Sequence, residues 1–125
     1  MPKYSETVME HVLSPRNGGV IEHPDLTGHA GTPGRGAFLI LFLKVEEGRV
    51  TAAIYHTVGC GPTIACGSTL SELVLGRSIA ECSELTAEDL IQVLDGVPTD
   101  KLHCPVLAIG ALRGAVTHWE GERDV

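Results

Sequence analysis

Two cysteines of this chain, Cys60 and Cys104, each stand one or two residues ahead of a proline able to open a helix. The stretches are Val58-Gly59-Cys60-Gly61-Pro62 and Lys101-Leu102-His103-Cys104-Pro105. Proline is favoured in the first helical turn, because its missing N–H would have had no partner there anyway. A thiol in that place faces free backbone N–H groups and the positive end of the helix dipole, which favours thiolate over thiol. His103 sets an imidazole directly beside the second thiol. Two thiolates and an imidazole presented this way suit a zinc or iron centre, or a reactive thiol.

The other candidate donors are read against simpler roles. Cysteine is also among the most buried residue types, as a small hydrophobe. Cys66 lies about one turn into the helix that Pro62 starts, and its Cβ tilts back toward that helix's N-terminus. It therefore reads as either a further ligand or a core residue. Cys82, between Glu81 and Ser83, reads as core. His11, His23, His29, His56 and His118 read as surface or satisfied core positions. A thiol enzyme with Cys104 as nucleophile and His103 as base is a weaker alternative. Adjacent side chains seldom align as a dyad, and no acidic orienting residue stands out.

The 125 residues are enough for one domain, 1–125, with a core that needs no disulfide or metal staple. Nine basic residues against sixteen acidic ones give a net charge of −7. With no basic stripe, a nucleic-acid or anionic-membrane surface is not expected. The apolar run Ala37 to Leu43 is too short to span a bilayer, and the N-terminus has no secretory h-region. A cytoplasmic, reducing location follows as the expectation, and there four cysteines serve as ligands or free thiols more often than as disulfides.

These side chains must be positioned by a short list of elements. Ser5 to Leu13 reads as an amphipathic helix with Val8, Met9, Val12 and Leu13 on one face, ended by the breakers Ser14-Pro15-Arg16-Asn17-Gly18-Gly19. A glycine-rich loop is expected from there to about Gly36, with a further strand from Val20-Ile21. Ala37–Val45 and Arg49–Val58 read as strands joined through Glu46-Glu47-Gly48. Pro62–Leu75 reads as a helix stopped by Gly76. Ser78 caps a short turn, and Thr86 with Asp89 caps a helix to about Leu94. Pro105–Trp119 reads as the last helix, with Val106, Ile109, Leu112, Val116 and Trp119 as its buried stripe. Gly110 and Gly114 lower its helix propensity by about 1 kcal/mol each, tolerable where another backbone packs closely. The tail from about 120 is polar. Early strands followed by helices make an α+β domain.

Taken together, these segments resemble the iron–sulfur cluster scaffold proteins of the NifU N-terminal/IscU type, from Tyr4 to about Trp119. Tyr4-Ser5-Glu6-Thr7-Val8-Met9-Glu10-His11, Ser14-Pro15-Arg16-Asn17-Gly18-Gly19, Gly59-Cys60-Gly61 and Lys101-Leu102-His103-Cys104 match in order and spacing. The resemblance implies a small three-stranded antiparallel sheet packed against helices. It also implies a two-iron cluster, or zinc, held on three cysteines and a nearby histidine or aspartate. The ligand positions that carry over are Cys60 and the pair His103-Cys104.

The first ligand does not carry over. Where the family has Ala-Cys-Gly-Asp, this chain has Gly34-Arg35-Gly36-Ala37, and arginine stays protonated and cannot ligate a metal. Cys66, at a position commonly serine in the family, would restore a three-sulfur, one-nitrogen set with Cys60, His103 and Cys104. Arg35 would then offset the negative charge of such a centre. The implied partners are a cysteine desulfurase and cluster-accepting proteins. An Hsp70-type chaperone is not implied, because the family's Leu-Pro-Pro-Val-Lys is Val97-Pro98-Thr99-Asp100-Lys101 here. The implied role is a scaffold or carrier rather than an enzyme. The alternative is a degenerate paralogue that regulates or accompanies a desulfurase without assembling clusters.

Overall fold

The computed structural model describes residues 4–117 and 119; His118 and the expected polar tail lie outside them. The order is α1 (Glu6–Leu13), β1 (Leu26–Gly31), β2 (Phe38–Glu46), β3 (Arg49–Val58), α2 (Gly61–Val74), α3 (Ile79–Ser83), α4 (Ala87–Val93) and α5 (His103–Thr117), with a 3₁₀ turn at Thr99–Lys101. The three strands form one antiparallel sheet in the order β1-β2-β3. This is the α+β architecture expected, a three-stranded antiparallel sheet packed against helices.

The sheet's inner face follows from alternation. Leu39, Leu41 and Leu43 of β2 and Ala53 and Tyr55 of β3 alternate into the core, and a register shift beside Lys44 and Val45 lets Val50 face inward as well. Glu47 and Gly48, with φ of 53° and 75°, make the tight turn joining β2 to β3. α5 packs on β1 and β2, α2 packs on β3, and α1 lies on α2. Among the described residues the buried apolar side chains form one cluster.

Helix ends match their sequence signals. The Ser5 hydroxyl accepts from the Val8 N–H and donates to the Leu94 carbonyl, tying the start of α1 to the end of α4. Ser78 with Glu81, and Thr86 with Asp89, each form a reciprocal capping box.

Three expectations are corrected. The third strand is not Val20-Ile21 but Leu26–Gly31, inside the stretch read as loop. The reason is Gly28: a Cβ there would lie 2.0 Å from the Ala111 carbonyl and 2.3 Å from the Ala115 nitrogen. This edge strand must be glycine-rich so that α5 can press onto its backbone, and that composition hides its strand character. Gly110 and Gly114 serve the same close approach from the helix side, facing Ala30 and Gly28.

The second correction concerns α1, where Val8 and His11 are buried and Leu13 is 76% exposed. The third concerns α5. It runs from His103, and its inner face is made by Cys104, Ala108, Ala111, Leu112 and Ala115. Ile109 is buried as expected and Val116 and Trp119 pack partly against the core, but Val106 faces solvent.

Candidate metal centre

The end of β3 and the starts of α2 and α5 meet at one place. Cys60 is the N-cap of α2, with extended backbone and Pro62 in the first turn. Cys104 is the second residue of α5, so it lies within the first turn rather than ahead of it. Separated by 44 positions in sequence, their sulfurs stand 3.8 Å apart. His103 Nε2 is 3.6 Å from the Cys104 sulfur. Cys60 is partly exposed, whereas Cys104 is buried.

A tetrahedral ion about 2.3 Å from two thiolates sets them ~3.8 Å apart, and with an imidazole nitrogen at about 2.0–2.1 Å the sulfur–nitrogen edge is ~3.6 Å. Both observed separations thus fit edges of one tetrahedral shell. The pairs fit, but the set is not closed. The described residues contain no group of three or more His, Cys, Asp or Glu side chains already placed to hold a metal ion.

Electrostatics divide the two thiols. Burial works to raise Cys60, but hydrogen bonds from the Thr63 hydroxyl and amide, from Cys104, and the Lys101 charge together hold it below the ordinary thiol value. Cys104 is held above that value, first by burial and then by its proximity to Cys60, with the Thr63 hydroxyl and Lys101 opposing. Of the two, Cys60 is therefore the thiol that gives up its proton more readily.

Cys66 and Arg35 are not hydrogen-bonded to this pair. Cys66 is fully buried on α2 and makes no hydrogen bond to the other three candidates, although its thiol is pushed strongly up by burial and by the charges of Cys104 and Cys60. Cys82 is a core residue as expected, its thiol pushed up to about 11 by burial. Arg35 is exposed in the loop between β1 and β2. That loop shares a sheet end with Cys60, because Gly31 pairs with Phe38 and Phe38 with Val58. Its guanidinium has no hydrogen-bond or ion-pair partner among the described residues.

Sequence reasoning missed Thr63. Its hydroxyl, fully buried, lies 3.4 Å from the Cys60 sulfur and 3.3 Å from the Cys104 sulfur. The available signal was a β-branched hydroxyl residue three positions after a helix-capping cysteine. Sequence reasoning also left His11 open between surface and core. It is buried, with Nδ1 2.7 Å from the Ser68 hydroxyl, which in turn accepts from the Arg16 amide. Burial, and then Arg16, hold its imidazole below the usual histidine value.

Against known proteins, the sequence model described as "NifU-like N terminal domain" matches residues 3–125. The iron-sulfur cluster assembly scaffold protein IscU 1 of Archaeoglobus fulgidus is 35% identical over 116 residues, covering 93% of this chain and 76% of that protein. The scaffold protein IscU of Escherichia coli is 34% identical over 125 residues, with 97% of each chain covered. A Drosophila melanogaster relative at 38% identity, covering 94% of this chain and 78% of its own, carries the name iron-sulfur cluster assembly enzyme IscU.

The fold has a counterpart among solved structures. A putative iron-sulfur cluster assembly scaffold for the SUF system from Fervidobacterium islandicum superposes with a TM-score of 0.74 at 18% identity, over 90% of this chain and 96% of its own. A family model spanning all but the first two residues, with relatives at this identity and coverage, leaves one conclusion: the chain belongs to the NifU-like N-terminal domain family.

Proposed function

We propose that this protein is a scaffold on which iron and sulfide are assembled into an iron–sulfur cluster, a carrier rather than an enzyme turning over a small substrate. One observation carries the reading: two thiols 3.8 Å apart at the mouths of two helices, with a histidine nitrogen 3.6 Å from one of them, in a chain of this family. The relatives' names as cluster assembly scaffolds support it.

The proposed ligands are Cys60, His103 and Cys104, with Cys66 as the fourth donor, and the cargo is a two-iron cluster, with zinc as the other ion this donor set suits. Cys60, with the lower thiol, is the first to offer a thiolate. Cys104 gives up its proton as the positive ion arrives, since a bound cation favours the charged form of a ligand. Closing the set requires Cys66 to lose its proton too, which burial opposes until a cation offsets it. Lys101 and the dipoles of α2 and α5 offset the negative charge that accumulates.

The proposed sulfur source is a cysteine desulfurase, and the proposed recipients are cluster-accepting proteins, in a reducing cytoplasm where the four free thiols persist. A thiol-enzyme role for Cys104 is the poorer reading, because that sulfur is buried and its thiol is raised.

Anaerobic incubation with ferric iron and sulfide tests the proposal. A visible-range chromophore is expected, weakened by Cys60→Ser. A colourless protein retaining no iron under those conditions rules the assembly role out.

A further inference from the structure

We propose that Thr63 is a positioning residue of the metal centre: its hydroxyl bridges the Cys60 and Cys104 sulfurs and holds them at metal-ready spacing. This inference rests on the reading of Cys60 and Cys104 as ligands. The hydroxyl is 3.4 Å from one sulfur and 3.3 Å from the other, and the sulfurs are 3.8 Å from each other, so the three atoms form a nearly equilateral triangle. A hydroxyl both donates and accepts. In the metal-free protein it can accept from one thiol while donating to the other sulfur. Once both sulfurs are thiolates it can only donate, giving a charge-assisted hydrogen bond to a ligand sulfur.

The side chain is fixed from two directions. Thr63 is β-branched, with few rotamers in a helix, and its backbone N–H is bonded to the Cys60 carbonyl at 3.0 Å. Gly59 closes the other side. A Cβ at Gly59 would lie 2.8 Å from the Thr63 hydroxyl oxygen and 2.9 Å from its Cβ, inside any real contact. The glycine ahead of Cys60 therefore makes room for this threonine. Among the described residues this hydroxyl has no other partner, and a buried hydroxyl without one is costly. Its bonds to sulfur are what satisfy it.

The role separates hydroxyl from shape, because valine copies the shape of threonine and serine keeps the hydroxyl. The probe is cadmium ion, titrated anaerobically into metal-free protein and followed by sulfur-to-cadmium absorption, with Cys60→Ser/Cys104→Ser as the control that abolishes the signal. Thr63→Val is expected to weaken cadmium binding by about tenfold to a hundredfold, the worth of one hydrogen bond to a charged group. Thr63→Ser is expected to stay within about threefold of wild type, and Gly59→Ala to behave like Thr63→Val.

Thermal melts of the metal-free variants establish that each is folded. Should Thr63→Val not fold, Thr63→Ala takes its place, with the same expectation. Wild-type affinity in a folded variant lacking the hydroxyl, or equal losses in Thr63→Ser and Thr63→Val, overturns the positioning role alone. A wild type that takes up no cadmium on Cys60 and Cys104 overturns the scaffold reading and the positioning role with it.

Discussion

The sulfur of Cys60 lies 3.8 Å from that of Cys104, and the difference between the two thiols is as informative as their closeness. Cys60 is partly exposed and held low, whereas Cys104 is buried and held high. Metal-free protein treated with iodoacetamide near neutral pH is expected to be alkylated at Cys60 several-fold faster than at Cys104, because the thiolate is the nucleophile. Peptide mapping after a short exposure reads the ratio. Faster reaction at Cys104 would reverse the assignment of which sulfur first offers a thiolate.

Cys66 and Cys82 make a matched pair for the proposed fourth ligand. Both are fully buried on helices, but only Cys66 feels the charges of Cys60 and Cys104. Cys66→Ser is expected to lower metal affinity, while Cys82→Ser leaves it unchanged. Equal affinity and stoichiometry in the two variants would assign Cys66 to core packing alone.

His11 makes stability depend on pH. Its folded value lies below the usual 6.5, because burial and Arg16 disfavour the charged ring. The unfolded chain then binds the proton more readily than the folded one. Stability rises with pH through this window and is lost as pH falls below about 6.5. Urea denaturation of metal-free protein at pH 7.5 and 5.5 is expected to show a lower midpoint at the acid value, with a smaller difference in His11→Asn. An identical acid loss in that variant would assign the effect to other groups.

Gly28 separates close packing from backbone freedom. A methyl group there would meet the Ala111 carbonyl at 2.0 Å, so Gly28→Ala must push β1 away from α5. Overpacking of this severity is expected to cost about 3 kcal/mol or more. Gly34→Ala, at φ +84° with open space around it, is expected to cost about 1–2 kcal/mol through backbone strain alone. Denaturant midpoints with unchanged slopes check both values.

That same glycine explains what could and could not be read from the chain. The β2–β3 hairpin, the two capping boxes and the helix-mouth cysteines were legible because each rests on local chemistry: alternation, a side chain three residues from its amide, a thiol near a proline. β1 was not, since Thr27, Gly28, His29 and Ala30 are chosen for contact with a helix some eighty positions later. Val20-Ile21 has the better strand propensity, yet Val20 is 68% exposed and outside the sheet. Val106 was placed inside because the larger aliphatic side chains were taken as the stripe, whereas the buried face of α5 runs through the small residues Cys104, Ala108, Ala111 and Ala115. Thr63 was overlooked for the same reason as Gly28. Its partner Cys104 is 41 positions away, and only the packing of α2 against α5 brings them together.

If Cys60 and Cys104 hold iron together with sulfide, as proposed, replacing both thiols must remove the two elements together. The measurement that tests this most directly is iron, zinc and acid-labile sulfide analysis of protein purified anaerobically, for wild type and Cys60→Ser/Cys104→Ser. Wild type is expected to hold iron and sulfide in about equal amounts, as a two-iron cluster requires, and the variant neither. Zinc without sulfide in wild type, or iron and sulfide undiminished in the variant, would contradict the proposal.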